Sequence, residues 1–235
     1  MPRKHLIASG INKKQQAQAK MWMKCAKEIK AATKFGGPNP EANPRLKAAI
    51  IRAMQNNLSR DSIEKNINGA NKDASLLKEL YYEGYGPNGI AILIKALTDN
   101  EQRTISAIRG YFSKLNGQLA KPNSVKMIFS ELGEFIIDKS KYNEETILNA
   151  IINYEIENLI EEEDSFVVYC KPSLFYKLKE SFELKNIIPF SLEIKYIPSD
   201  YITLDEEHKD RYERFINACE NDEDIQWVVT NCENY

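Results

Sequence analysis

The sequence predicts an α+β protein: an N-terminal three-helix bundle followed by two α+β units of the βαββαβ, ferredoxin-like kind. Three observations carry this. Apolar residues in the first seventy positions recur at helical spacing. From about residue 80, strand-like runs alternate with helix-like ones, and two hairpin-like adjacencies break a purely parallel pattern. Charge divides the chain in the same way. Residues 1–75 hold fifteen Lys/Arg against five Asp/Glu, residues 76–130 seven against four, and residues 131–235 ten against twenty-five. The net charge of −2 is therefore a cancellation between modules. A block of +10 is the electrostatic signature of a module that meets a polyanion. With 43% hydrophobic and 28% charged residues, the composition excludes wholesale disorder. No apolar run approaches the roughly 18 residues of a membrane span. Met1-Pro2-Arg3-Lys4-His5 is not followed by an apolar h-region, so a cytoplasmic protein without a secretory signal is expected.

Residues 12–34 read as the first helix. Trp22, Cys25, Ala26 and Ile29 share one face. Lys13, Lys20, Lys24, Lys27 and Lys34 fall in one stripe on the opposite face, at about 100° per residue. A solvated helical face usually interleaves glutamates with its lysines. Here only Glu28 is acidic, and it sits off the stripe, so the stripe reads as a phosphate track. Gly36-Gly37-Pro38 ends the helix. Asn43 caps the second, with Pro44 at its first position. Its apolar face is Leu46, Ala49, Ile50, Ala53 and Met54, with Arg45 and Arg52 together on another side. Ser59 caps a third helix that buries Ile63 and Ile67 and ends at Gly69, and Asn71-Lys72-Asp73 reads as a polar break.

The next block begins Leu80–Gly89. Gly84, Gly86 and Gly89 have the Gly-x-Gly-x-x-Gly spacing of dinucleotide-binding loops. That motif follows a strand and opens a helix. This one precedes the strand Ile90–Ile94 and carries Pro87 at its centre, so it is a turn. Thr98 or Asn100 caps a helix to about Leu115 with Ile105, Ile108 and Phe112 inward, stopped by Gly117. Two β-like runs follow, Val125–Phe129 and Glu134–Asp138. A helix is expected over 143–154, strands near 156–160 and at Ser165–Cys170, and a helix over Pro172–Leu184. A strand at Leu192–Ile197, a helix at Leu204–Asn221 and a strand at Ile225–Thr230 close the chain. The acidic runs Glu161–Asp164 and Asp222–Asp224 read as solvated loops and a helix end.

No catalytic constellation emerges. There is no Gly-x-Ser-x-Gly elbow and no Walker loop, and no histidine is placed to serve a nucleophile. Cys25, Cys170, Cys219 and Cys232 are far apart, as in reduced intracellular proteins. His5 and His208 lack ligand-spaced partners, so neither a metal nor a cofactor is expected.

Three segments together resemble one family. They are Gly36-Gly37-Pro38-Asn39-Pro40-Glu41-Ala42-Asn43-Pro44-Arg45-Leu46, Tyr82-Glu83-Gly84-Tyr85-Gly86-Pro87-Asn88-Gly89, and Ala96-Leu97-Thr98-Asp99-Asn100 with Arg103-Thr104. Their order and spacing are similar to the YebC/PmpR family, whose mitochondrial relatives are translational activators of cytochrome c oxidase. The resemblance implies a basic bundle over 1–75, a middle domain over 76–130 plus 204–235, and an acidic domain over 131–203 inserted into it. It also implies a DNA-binding transcriptional regulator or, alternatively, a ribosome-associated factor that binds ribosomal RNA and relieves stalled translation. A third reading from charge alone is a scaffold in which basic and acidic halves pair between copies. Lys13, Lys14, Lys20, Lys24, Lys27, Arg45, Arg52 and Arg103 are the candidate nucleic-acid contacts. Their charge would supply affinity and orientation, not sequence reading.

Overall fold

The computed structural model describes residues 3–73 and 77–233, with side chains over 15–70 and 77–233. It is α+β, with helices at the N-terminus followed by two antiparallel sheets. By compactness it forms two units, residues 1–126 with 202–235 and residues 127–201.

The first unit opens with α1 (Arg3–Gly36), α2 (Pro44–Gln55) and α3 (Arg60–Asp73). Helix α1 starts well before residue 12. No proline lies between Arg3 and Gly36, and a single interior glycine, Gly10, costs only about 1 kcal/mol. Cys25, Ile29, Ala32, Leu46, Ala49, Ala53 and Ile63 form the bundle core. Trp22 and Met54 are outside it, at 39% and 42% exposure. The Trp22 indole N–H instead donates to the Asn56 carbonyl at 2.9 Å. Gly37, at φ +86°, turns the chain after α1 through the left-handed region that its lack of a Cβ permits. Ser59 Oγ accepts the Ser62 N–H at 3.3 Å at the start of α3. That helix passes Gly69 and runs on to Asp73, so the expected break at 71–73 is helical.

Asn43 does three jobs in this bundle. Its Oδ1 accepts the Leu46 N–H at 3.1 Å, capping α2. Its Nδ2 donates to the carbonyls of Ala32 and Gly37, both at 2.8 Å, closing the end of α1. The residue is 4% exposed, so water does not replace these bonds. Asn43→Ala is expected to cost about 2 kcal/mol, from the lost cap and the stranded carbonyls. The midpoint of urea unfolding reads this directly.

The first sheet contains β1 (Lys78–Tyr85), β2 (Ala91–Thr98), β3 (Gln118–Leu119) and β8 (Ile225–Thr230), in the order β3-β1-β2-β8. Its two middle strands are joined by the Gly86–Gly89 turn, where the Gly86 N–H donates to the Ile90 carbonyl at 2.8 Å. The glycine-spaced segment is thus a hairpin turn. Helices α4 (Glu101–Leu115) and α7 (Glu206–Asn221) pack with Ile90, Ile92, Ile94 and Ile225 around Phe112, Tyr212 and Phe215. Asn100, not Thr98, caps α4 by accepting the Arg103 N–H at 3.0 Å. Ile108 and Phe112 point inward as expected, but Thr104 and Leu115 join them while Ile105 is only half-buried. Asn116, at φ +61°, makes the left-handed exit ahead of Gly117.

Strand β1 buries an ionised side chain. Glu83 is 4% exposed and accepts the N–H groups of Asn123 and Val125, each at 2.7 Å, and of Lys126 at 3.0 Å. The neighbouring Gly84 lies under Phe112. A Cβ there would fall 2.4 Å from the ring and 2.6 Å from the Gln118 carbonyl.

The second unit runs β4 (Phe129–Asp138), α5 (Glu144–Ile151), β5 (Ile156–Glu161), β6 (Ser165–Cys170), α6 (Phe175–Leu184) and β7 (Ser191–Pro198). Its order, β5-β6-β4-β7, is that of a βαββαβ unit. The expected run at 134–138 lies within β4, which starts already at Phe129, whereas the strand expected at 125–129 is instead a 3-10 turn at Lys126–Ile128 that leads into β4. Phe135, Phe166, Val168, Phe175, Leu178 and Phe182 fill the core.

Candidate nucleic-acid interface

Helix α1 carries the lysine stripe, and three of its lysines are already engaged within the first unit. Lys24 is 9% exposed, and its Nζ donates to the Glu220 carbonyl at 2.7 Å. Burial pushes its pKa down, against the pull of Asp222 and Glu220. Lys27 Nζ donates to Asp224 Oδ1 at 2.7 Å and to the Glu223 carbonyl at 3.0 Å. Lys34 Nζ donates to the Leu77 carbonyl at 3.3 Å. Lys24 and Lys27 therefore fasten α1 to the 220–224 segment, at the end of α7 and before β8, and Lys34 ties it to the chain ahead of β1.

Asp224 is the centre of this fastening. Its Oδ2 accepts from Arg103 Nη2 at 2.8 Å, Arg103 Nε at 3.2 Å and Thr104 Oγ1 at 3.0 Å, while Oδ1 takes Lys27. Arg103 also reaches Asp99 at 2.8 Å. Within the run Asp222–Asp224, read above as solvated, Glu223 is exposed as expected, but Asp224 is an internal counter-charge. Asp224 is 5% exposed, and Asp222 accepts the Tyr111 hydroxyl at 2.8 Å. Its stretch of acidic residues was the visible signal; the lysines it meets are nearly two hundred positions away.

Arg45 is similarly committed. Its Nε donates to Glu28 Oε1 at 2.8 Å, its Nη2 bonds Glu79, and its guanidinium lies 5.8 Å from the centre of the Phe35 ring. Glu79 also pairs with Lys95 at 3.5 Å. This joins α2 to the sheet on the side away from α4 and α7.

Lys20 and Arg52 are placed differently. Both line a cleft of about 490 Å³ formed by α1, α2, the end of α7 and β8, with Lys24 and Trp227 on its walls. Neither makes an ion pair among the described residues. The side chains of Lys13 and Lys14 lie outside the described residues. Of the eight candidates, Lys24, Lys27, Arg45 and Arg103 hold intramolecular partners, and Lys20 and Arg52 are brought together at one rim.

The four cysteines are buried free thiols. Burial pushes Cys219 up to about 12 and Cys170 up to about 11, which disfavours the nucleophilic thiolate. Among the described residues, no group of three His, Cys, Asp or Glu side chains could hold a metal ion. No described helix is long and apolar enough to cross a membrane.

A basic helical bundle tied by ion pairs to an antiparallel sheet, followed by a βαββαβ unit, defines an α+β class with a cationic N-terminal module. The chain belongs to the TACO1/YebC family. Residues 2–73 match the model of the TACO1/YebC N-terminal domain, and residues 77–232 match that of the second and third domains. A protein of Ureaplasma urealyticum is 62% identical over 99% of both chains. One of Mycoplasma pneumoniae is 44% identical over 98% of this chain and 99% of its own. One of Hathewaya histolytica is 35% identical over 97% and 94%. All three carry the name probable transcriptional regulatory protein. Among solved structures, a conserved hypothetical protein from Aquifex aeolicus superposes with a TM-score of 0.78 at 32% identity, covering 92% of this chain and 90% of that one.

Proposed function

We propose that the protein is a non-catalytic regulator of gene expression that binds nucleic acid, with DNA as its target. The observation that carries this reading is the pairing of Lys20 and Arg52, from two helices, at the rim of one cleft without ion-pair partners of their own. Lys13 and Lys14 extend the same basic helix towards its N-terminus. The names of the relatives supply the regulatory part. Lys24, Lys27, Arg45 and Arg103, the remaining candidates, serve first to hold the bundle against the sheet. The three-domain division implied by the family resemblance belongs to the same proposal: bundle, middle domain and inserted domain.

The test is a salt titration of duplex DNA binding. Each phosphate contact contributes about one unit to the slope of log affinity against log salt. The double variant Lys20→Ala/Arg52→Ala is expected to flatten the slope by about two units. Binding that ignores salt, or an unchanged slope in the variant, overturns this interface. The ribosomal reading is separated by sedimentation from a low-salt lysate divided between RNase and DNase treatment. Co-sedimentation with ribosomes that only RNase abolishes would replace DNA with ribosomal RNA as the target. Both targets use the same phosphate chemistry.

A further inference from the structure

We infer that the face formed by α4 and α7 carries a phosphate-binding site, remote in sequence from the lysine stripe. A hollow of about 260 Å³ there is lined by Tyr111, Lys114, Arg211, Arg214, Phe215 and Ala218. Three of these six side chains are cationic and none is acidic. They come from two helices held in fixed relation by a shared core. Phe215 is 3% exposed and meets Phe112 edge-on, with ring centres 5.3 Å apart. The floor is thus rigid and apolar, while the charges stand at the rim.

Lys114 and Arg211 make no ion pair among the described residues. Arg214 Nη2 pairs with Asp210 at 2.6 Å, but both side chains are largely exposed, so a phosphate can displace that carboxylate cheaply. Glu207 lies one turn before Arg211 on its side of the helix, largely exposed, with its carboxylate 3.2 Å from His208 Nε2. Asp222 is occupied by the Tyr111 hydroxyl. At about 100° per residue, Glu206, Glu213 and Glu220 fall on the other side of α7 from Arg211 and Ala218. Two of the three Lys/Arg residues of an otherwise acidic helix, Arg211 and Arg214, therefore face this hollow, while Lys209 pairs with Glu206 on the other side. Arginine forks match phosphate oxygens in pairs, and a lysine adds a movable third charge.

The ligand is a tetrahedral phosphate, carried either on a nucleic-acid backbone or free. The site extends the nucleic-acid reading and rests on it only for the first of these sources. Two measurements on the full chain distinguish them. In the first, inorganic phosphate is titrated while the backbone amides of Arg211 to Ala218 are followed by NMR. Saturable shifts there that vanish in Lys114→Ala/Arg211→Ala are expected. In the second, the salt dependence of DNA binding is compared between the same two proteins, with an expected loss of about two units of slope. Phosphate shifts with an unchanged slope assign the hollow to a free phosphate, as does a protein that binds phosphate but no nucleic acid. A lowered slope assigns it to the backbone. Absence of site-specific shifts together with an unchanged slope overturns the proposal. Both substituted side chains are exposed, and Lys114→Gln/Arg211→Gln, which removes the charge but keeps a polar side chain and most of the aliphatic stem, guards against a packing effect.

Discussion

Asp224→Ala is expected to lower stability by about 3 kcal/mol. The carboxylate is buried and answers Lys27, Arg103 and Thr104 at once. Removing one partner from a buried ion pair typically costs about 3–5 kcal/mol, because a charge is left without its counterpart. The lower end applies here, since the Arg103 side chain is 53% exposed and can rehydrate. Urea unfolding measures the loss, and a change below about 1 kcal/mol would show that the fastening carries little energy. Acid gives a second reading. Burial works against the Asp224 charge, but the hydrogen bonds from Lys27 and Arg103 prevail and hold its carboxyl below the ordinary range. A carboxyl depressed by folding contributes stability above its unfolded pKa of about 3.9, and that contribution is lost as pH falls through the folded value. The wild-type protein should therefore weaken as pH drops below about 4, and the variant should weaken less over the same window.

Glu83→Ala is expected to cost as much or more, about 3–4 kcal/mol. Its carboxylate is the acceptor for three backbone N–H groups of the 123–126 segment, and alanine strands them where water has little access. Burial again opposes the charge and the backbone donors overcome it, so this carboxyl also titrates low and adds to the acid sensitivity. Glu83→Gln keeps one acceptor oxygen and should fall between the two. Hydrogen exchange at Asn123, Val125 and Lys126 should quicken in the alanine variant before the rest of the sheet is affected. Uniform exchange across the unit would argue against a local anchoring role.

Both residues show where local pattern runs out. The helix caps Asn43 and Asn100 were legible because a cap is a contact over three residues. Strands such as Ser165–Cys170 were legible because a short β-branched and aromatic run between turns has few alternatives. Strand β1 was not, because Leu80-Tyr81-Tyr82-Glu83-Gly84-Tyr85 contains a carboxylate and a glycine where a buried strand is expected to be apolar. Their reasons lie some thirty to forty residues on, in the amides of 123–126 and the ring of Phe112. The lysine stripe was visible as a pattern, but its partner was not. Helical spacing states that Lys24 and Lys27 share a face; it is silent on the Glu220–Asp224 segment that the face meets. Arg45 and Arg103 joined the candidates on charge alone, and each turned out to have carboxylates at hydrogen-bond distance. Lys20 and Arg52 are four and seven residues from other candidates, yet only the packing of α1 on α2 makes them neighbours.

The first unit is assembled from both ends of the chain, with residues 202–235 returning to complete it. During synthesis this imposes an order. When residue 201 has left the ribosome, every strand of the second sheet exists, whereas the first still lacks α7 and β8. Until then the central strand β2 has an open edge where β8 will pair, and Lys24 and Lys27 have no 220–224 segment to meet. The nascent protein thus presents an uncovered cationic helix and an unpaired strand until residues 202–235 emerge, and that segment closes both together.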